Sequence, residues 1–216
     1  MDECQSVNPT PILYSFRRCP FAIRARMALV YAGIGVELRE VKLSDMPESM
    51  LRLSPKATVP VLVLAGERVI DESLEVMLWS LSQADPHQWL ESGTVSRELI
   101  RRCDEDFKPL LDCYKYADRH PGLSQFEHRA NAAFFLQELD QWLCRHAFIT
   151  DSQCRLADVA IFPFIRQFVG VDAPWFGQCE YAALRNWLNT MLDSDLFKRV
   201  MQKHPFWQPG DATVYL

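Results

Sequence analysis

The spacing of apolar residues changes partway along this chain, from short runs and alternations in the first third to three- and four-residue intervals beyond it. "PILYSF" (residues 11–16) reads as a short buried strand, and "PFAIRARMALVYAGI" follows with helical spacing. In that helix Phe21, Ala25, Ala28, Leu29 and Ala32 share an inward face, and Arg24 and Arg26 are expected to reach solvent. Gly33 and Gly35 end it, and "VELREVKL" (residues 36–43) alternates as a second strand. A short helix over 46–53 leads into "SPKATVPVLVLAGERVIDES", where two apolar runs flank "AGE", a hairpin signal; helical spacing resumes over 73–82. Strand, helix, strand, helix, hairpin, helix predicts a small mixed sheet covered by helices. "QADPHQWLESGT" reads as a linker, because Pro86 and Gly93 interrupt any regular element.

From about Val95 strand signals disappear. "SRELIRRCDEDFKPLLDCYKYADRH", "QFEHRANAAFFLQELDQWLCRH", "LADVAIFPFIRQFVG", "YAALRNWLNTML" and "DLFKRVMQK" each carry helical periodicity and predict an all-helical bundle. Pro109 and Pro163 are expected to kink or restart their helices. The expected domains are therefore an α/β unit over 10–83 and an all-α unit over 94–204.

Composition narrows the function classes. With 216 residues and 49% hydrophobic content the chain can build a substantial core, and a net charge of -5 argues against non-specific binding to nucleic acid or an anionic membrane surface. No apolar stretch approaches the roughly 20 residues that span a bilayer, and "MDECQSVNPT" has neither a basic flank nor an apolar signal core, so a cytoplasmic protein is expected. The seven cysteines, at 4, 19, 103, 113, 144, 154 and 179, form no CxxC pair and no zinc-finger spacing. Cys103, Cys113 and Cys144, within helical patterns, are expected to act as small buried hydrophobes.

Cys19, in "RRCPFAIRAR", differs. Ala22 occupies the position where a dithiol protein would carry its second cysteine. If the helix starts at Pro20, Cys19 lies at its N-terminal cap, where unpaired N–H groups and the helix dipole favour a thiolate, with Arg17 and Arg18 adding positive potential. It is equally readable as an incidental small cap residue. In "ATVPVL", Val59 precedes Pro60 at a strand start, where a cis bond would turn the preceding backbone outward to pair with an extended peptide-like ligand; an ordinary strand-opening proline is the plainer alternative. In "DES" (residues 71–73), Ser73 can cap the next helix, whose N–H groups could also bind a carboxylate.

A cysteine-capped first helix, a TVP turn some forty residues on, an "ES" helix start and a helical second half together resemble the cytosolic glutathione S-transferase family. "CPFAIRARMAL" resembles its omega-type, cysteine-containing branch and that branch's bacterial relatives, and "LADVAIFPF" resembles the motif that starts the buried helix of its second domain. The resemblance implies a thioredoxin-like N-terminal domain followed by an all-helical C-terminal domain. It implies glutathione as cosubstrate, with Val59 and Pro60 at its cysteinyl backbone, Glu72 and Ser73 at the γ-glutamyl end, Lys56 near the glycyl carboxylate and Phe21 beside the sulfur. Cys19 would be the catalytic residue, forming a mixed disulfide with glutathione that a second glutathione resolves. No metal is implied, and a homodimer is.

Two positions depart from the family pattern. Ala57 stands where many members have glycine, which narrows that turn's backbone choices, and Arg155 stands where a Ser or Thr usually completes a capping box with Asp158. Phe107, Leu111, Tyr114, Phe164 and Phe168 are readable either as walls of a second-substrate pocket or as core. The resemblance favours a glutathione-dependent thiol transferase, acting on mixed disulfides or on small oxidised molecules such as dehydroascorbate. Conjugation of glutathione to electrophiles and a non-catalytic interaction protein are the alternatives.

Overall fold

The computed structural model describes residues 10–91 and 93–216, which places Cys4 outside the described residues. The alternating first segment forms β1 (Ile12–Ser15), and α1 (Pro20–Tyr31) starts at the proline. Gly33, at φ +69, ends α1 in a left-handed turn that side-chain-bearing residues rarely adopt. β2 (Glu37–Glu40) and α2 (Glu48–Leu53) follow, then β3 (Val61–Val63) and β4 (Val69–Ile70), joined through "AGE". α3 (Ser73–Gln83) closes this part of the chain.

The sheet order is β2-β1-β3-β4, with β1 and β2 parallel and β1–β3 and β3–β4 antiparallel. Alternation along the strands gives the sheet two apolar faces. Leu13, Leu38, Leu62 and Ile70 pack with Ala25, Leu29 and Val76 on one side, while Tyr14 and Val61 pack with Met50 and Val59 on the other.

The chain folds as two units: the described residues up to Ala84 together with Arg199–Leu216, and Asp85–Lys198. This division differs from the expected boundaries of 10–83 and 94–204 at both ends. The last residues belong to the first unit because they add to the exposed edge of β2: Leu38 N–H donates to Val214 O (2.7 Å), and Leu216 N–H donates to Val36 O (3.1 Å). Trp207 also packs edge-on to Tyr14, with the Arg39 guanidinium 4.2 Å from its ring centroid. Sequence periodicity could not show this, since the tail has no regular repeat of its own.

The expected linker is likewise structured. The Asp85 carboxylate accepts the N–H groups of Trp89 (2.8 Å) and Leu90 (2.9 Å), and Trp89 is buried.

The second unit is helical. α4 (Thr94–Arg102) continues through a π-turn (Cys103–Phe107) into α5 (Lys108–Lys115), then α6 (Gln125–Leu143), α7 (Leu156–Val169), α8 (Ala173–Gln178) and α9 (Ala182–Asp193); the unit boundary after Lys198 falls within the last helix, α10 (Asp195–Val200). The short α8, capped by Asp172 and opened by a proline turn, was not legible from periodicity. Pro109 sits directly after the π-turn, where the ladder has already shifted and its missing N–H is accommodated. Pro163 instead lies inside α7, which continues through it rather than restarting there.

Ala57 holds a left-handed backbone, φ 53, in the turn between α2 and β3. An L-residue there costs about 1–2 kcal/mol, partly offset by the greater unfolded-state entropy of glycine, about 0.4–1 kcal/mol. Ala57→Gly is therefore expected to raise stability by about 0.5–1 kcal/mol, read as a higher urea midpoint; a lower midpoint would contradict this account.

Candidate functional site

Cys19 takes the cap position of α1 with extended backbone (φ -75, ψ 123). Its N–H donates to Phe16 O (3.0 Å), closing the turn after β1, and its carbonyl accepts the first helical bond from Ile23 (2.9 Å). Cys19 is half-buried, and its Sγ lies 3.7 Å from Val59 O as donor. Antiparallel pairing of β1 with β3, Tyr14 opposite Val61, brings the Val59–Pro60 segment alongside, and that peptide bond is cis. Two sequence-distant motifs thus meet at one sulfur. Ala22 is fully buried behind it.

The other cysteines contrast with Cys19. Burial pushes the Cys154 thiol up and keeps it protonated, and Cys103 is fully buried. Cys113 is half-buried, and Cys144 is exposed rather than buried, because it falls at the C-terminal cap of α6, beyond the packed turns.

A second cluster forms where the loop after α2 meets the start of α3. Lys56 Nζ donates to Glu72 Oε1 (2.6 Å) and Asp71 Oδ1 (3.1 Å), and Ser54 Oγ donates to Asp71 Oδ2 (2.7 Å). The Ser54 hydroxyl, helped by Lys56, holds the Asp71 carboxyl below its ordinary range. Hydrogen bonds to Glu72 and then Asp71 raise the Lys56 ammonium. Glu72, not Ser73, is the cap residue of α3: it has the extended backbone, and its carbonyl accepts Val76 N–H (2.9 Å). Ser73 is the first helical residue, buried, with its Oγ accepting from Arg24 Nε (2.9 Å).

Arg24 and Arg26 do not reach solvent. They are 2% and 0% exposed, because α1 is covered on the faces that periodicity left open. The signal was present in the composition of α1: apart from these arginines it is apolar all round, as in a helix buried on every side. The Arg24 guanidinium lies 5.1 Å from the centroid of the half-buried Phe21 ring, while Arg26 pairs with Glu40 at 2.5 Å. Arg18 is exposed and lies over Phe16 (5.3 Å), whereas Arg17 Nη1 reaches the Met201 carbonyl (3.4 Å).

These contacts run in a circuit within the first unit. From Cys19 it passes along α1 to Phe21 and Arg24, across to Ser73, through Glu72 to Lys56, and along the loop to Val59 and back to the sulfur. Its perimeter offers a thiol, a cation, two carboxylates, a helix N-terminus and a strand-start backbone. That set can recognise an extended, zwitterionic thiol peptide.

In the second unit, Phe107, Leu111, Tyr114, Phe164 and Phe168 are all buried. Phe107 packs on Phe135 (5.0 Å between centroids) and Tyr114 on Phe168 (4.9 Å), so these residues serve as core. Asp158 is fully buried at the start of α7 and accepts three hydrogen bonds, from Arg155 N–H (2.9 Å), Ile149 N–H (2.9 Å) and Trp187 Nε1 (2.8 Å). Burial pushes its pKa up to about 6 against those donors. An arginine side chain has no acceptor, so only the Asp158 half of a capping box can form. The Arg155 guanidinium instead ties the 85–91 segment to the start of α7, through the carbonyls of His87 (3.1 Å) and Gln88 (2.8 Å), and also pairs with the Asp151 carboxylate (2.7 Å).

Residues 13–89 match the family described as glutathione S-transferase, N-terminal domain. A probable glutathione transferase of Aplysia californica is 31% identical over 79 residues, 37% of this chain and 86% of that protein. The chain belongs to the glutathione S-transferase family. Glutathione S-transferase omega-1 of Rattus norvegicus is 25% identical over 202 residues, 86% of this chain and 80% of that one. Among solved structures, a glutathione transferase family member from Pseudomonas fluorescens with two glutathione bound superposes with TM-score 0.76 at 17% identity, covering 91% of this chain and 94% of that one. Glutathione transferase Omega 3C from Trametes versicolor superposes with TM-score 0.75 at 18% identity, covering 91% and 90%. The family's thioredoxin-like first domain and helical second part are the architecture found here, as the sequence resemblance implied. Among the described residues no helix is long and apolar enough to cross a membrane.

Proposed function

We propose that the protein is a glutathione-dependent thiol transferase in which Cys19 is the nucleophile. The observation that carries the reading is the Cys19 thiol at the cap of α1, facing the Val59 carbonyl at 3.7 Å. A helix N-terminus favours the thiolate, and the adjoining strand start suits an extended peptide backbone.

The residues present suit glutathione by their chemistry. Glu72 and Asp71 supply carboxylates for an α-ammonium, the Ser73 hydroxyl and the N-terminus of α3 suit the γ-glutamyl carboxylate, and Val59 offers backbone next to Pro60. Lys56 supplies a cation for the glycyl carboxylate by exchanging one of its present carboxylate partners. Phe21 gives an apolar neighbour to the sulfur.

Cys19 thiolate attacks the glutathionyl sulfur of a mixed disulfide, forming a Cys19–glutathione disulfide and expelling the substrate thiolate. A free glutathione thiolate then attacks the glutathionyl sulfur of that disulfide, releasing oxidised glutathione and the Cys19 thiolate; one free glutathione is consumed, and the other half of the oxidised glutathione comes from the mixed disulfide. Ala22 offers no internal resolving thiol, which makes the cycle monothiol. Such chemistry suits the reducing cytoplasm, and the family reading makes a homodimer the expected state, testable by light scattering.

Intact mass after incubation with oxidised glutathione tests the proposal. The native protein is expected to gain one glutathione adduct and Cys19→Ser none; adduct formation unchanged in Cys19→Ser would reject Cys19 as the nucleophile. Ser73→Ala removes a donor for the γ-glutamyl end along with the acceptor used by Arg24. Its expected effect is a roughly tenfold rise in KM for glutathione with kcat little changed, since the lost contact is made equally in ground and transition states. A fall in kcat at unchanged KM would place Ser73 elsewhere in the cycle.

A further inference from the structure

We propose that the buried pair of Arg26 and Glu40 is a positioning device for Cys19 that also sets its ionisation, with Arg26 favouring the thiolate and Glu40 opposing it. The inference rests on the reading of Cys19 as the nucleophile.

Glu40 is the last residue of β2, and its two carboxylate oxygens do different work. Oε1 accepts the backbone N–H of Arg17 (2.6 Å), in the turn that carries Cys19 two residues later. Oε2 accepts from Arg26 Nη2 (2.5 Å), two turns along the helix that Cys19 caps. One carboxylate therefore fixes both the turn and the helix that converge on the sulfur. The side chains of Arg26 and Glu40 are only 0% and 5% exposed, so solvent does little to screen their charges.

The pair is not arranged as a stability-optimised fork. An arginine–carboxylate pair usually gains most from two parallel hydrogen bonds, yet here one oxygen is given to the Cys19 turn, and Arg26 Nε has no hydrogen-bond partner among the described residues. A buried ion pair is also weak as a stabiliser, since well-packed apolar residues of similar volume often serve as well. The C-terminal segment completes the arrangement: Val200 O accepts from Arg26 Nη1 (3.1 Å), Met201 O from Arg17 Nη1 (3.4 Å), and Trp207 N–H donates to Glu40 O (2.8 Å).

Other charges surround the thiol. Arg17, Arg18 and Arg24 lie on its own segment and helix, Glu40 comes from β2, and Lys56, Asp71 and Glu72 pair among themselves at the loop before β3 and the start of α3. The neighbouring C-terminal carbonyls and the Val59 carbonyl are neutral. Burial pulls the Arg26 guanidinium down and Glu40 holds it up; a smaller upward contribution comes from the charge of Cys19, and that attraction is mutual.

The test measures the pH dependence of Cys19 alkylation by iodoacetamide in the full chain, resolved by peptide mass so that the other thiols are counted separately. Glu40→Gln leaves Arg26 uncompensated and is expected to lower the Cys19 pKa by about one unit; Arg26→Gln leaves Glu40 uncompensated and is expected to raise it by about one unit. A purely structural role would not produce shifts of opposite sign. Shifts of the same sign, or both under about 0.3 unit, would overturn the proposal. If either single variant loses its far-ultraviolet circular dichroism, the Arg26→Gln/Glu40→Gln variant decides: its Cys19 pKa is expected within about 0.3 unit of native, and a displacement of a full unit would overturn the proposal. Alkylation needs no glutathione, so this outcome is independent of the glutathione-adduct test.

Discussion

Cys19→Ser is expected to abolish glutathione-dependent disulfide reduction, with kcat/KM falling at least about a thousandfold while the fold is kept. A serine hydroxyl is not ionised near neutral pH and cannot form the sulfur–sulfur bond on which exchange depends. Stability should hold or rise slightly, because serine is a favoured residue at a helix N-cap and Cys19 occupies that position in α1. The assay is reduction of a small glutathionyl mixed disulfide coupled to glutathione reductase, alongside the urea midpoint. Cys144→Ser, at the exposed C-terminal cap of α6, is the matched control and should retain native rates. Equal loss in both variants, or residual activity in Cys19→Ser near native, would remove Cys19 from the mechanism. Gain of conjugating activity with electrophiles in Cys19→Ser would instead show that the scaffold binds glutathione and that the cysteine chooses the chemistry.

The largest expected effect on stability is at Asp158. Asp158→Ala leaves the N–H groups of Arg155 and Ile149 and the Trp187 indole without their acceptor in a buried setting. Each unmet donor costs about 1–3 kcal/mol, and the sum, reduced by local relaxation, is about 3–5 kcal/mol. Against a typical total of about 5–15 kcal/mol, that change leaves the chain near the limit of folding.

Asp158 also gives stability a pH dependence of definite sign. Its folded pKa, about 6, lies above the ordinary 3.8, so the folded state binds the proton more tightly than the unfolded state. The stabilisation from protonation is fully present below about pH 4 and is lost as pH rises through about 6. A difference of about two units corresponds to about 3 kcal/mol less support at pH 7 than at pH 4. Asp158→Asn cannot titrate, so its penalty relative to native is expected to narrow by that amount between pH 4 and pH 7. Urea midpoints across this range check it; a penalty that grew with pH would mean that the three donors dominate burial and hold the folded carboxyl low.

Much of the fold was legible in local spacing. β1, α1, β2, α2, the hairpin and α3 follow from runs of two kinds, alternating and helical, punctuated by Gly33 and by "AGE", where Gly66 takes φ +70. The long helices of the second unit follow from three- and four-residue periodicity in the same way. Side-chain destinations were less legible. Arg24 and Arg26 read as solvated charges because a helical wheel assigns arginine to the open face, and it cannot show that α1 has none. Phe107 and Phe168 read as pocket wall or, more readily at helical spacing, as core; their mutual packing, 5.9 Å between centroids, decides for core.

The sequence by itself determined the local setting of Cys19. A cysteine before a helix-opening proline, with alanine three residues later, specifies a capped monothiol, because capping and the i to i+3 spacing are properties of one short segment. Only the tertiary structure decided what that thiol faces and what stands behind it. Val59 reaches Cys19 through strand pairing, Ser73 reaches Arg24 through the packing of α3 on α1, and the C-terminal carbonyls reach Arg17 and Arg26 by closing the edge of β2. Each contact joins residues far apart in the chain, and no periodicity or spacing in a linear sequence encodes a distance of that kind.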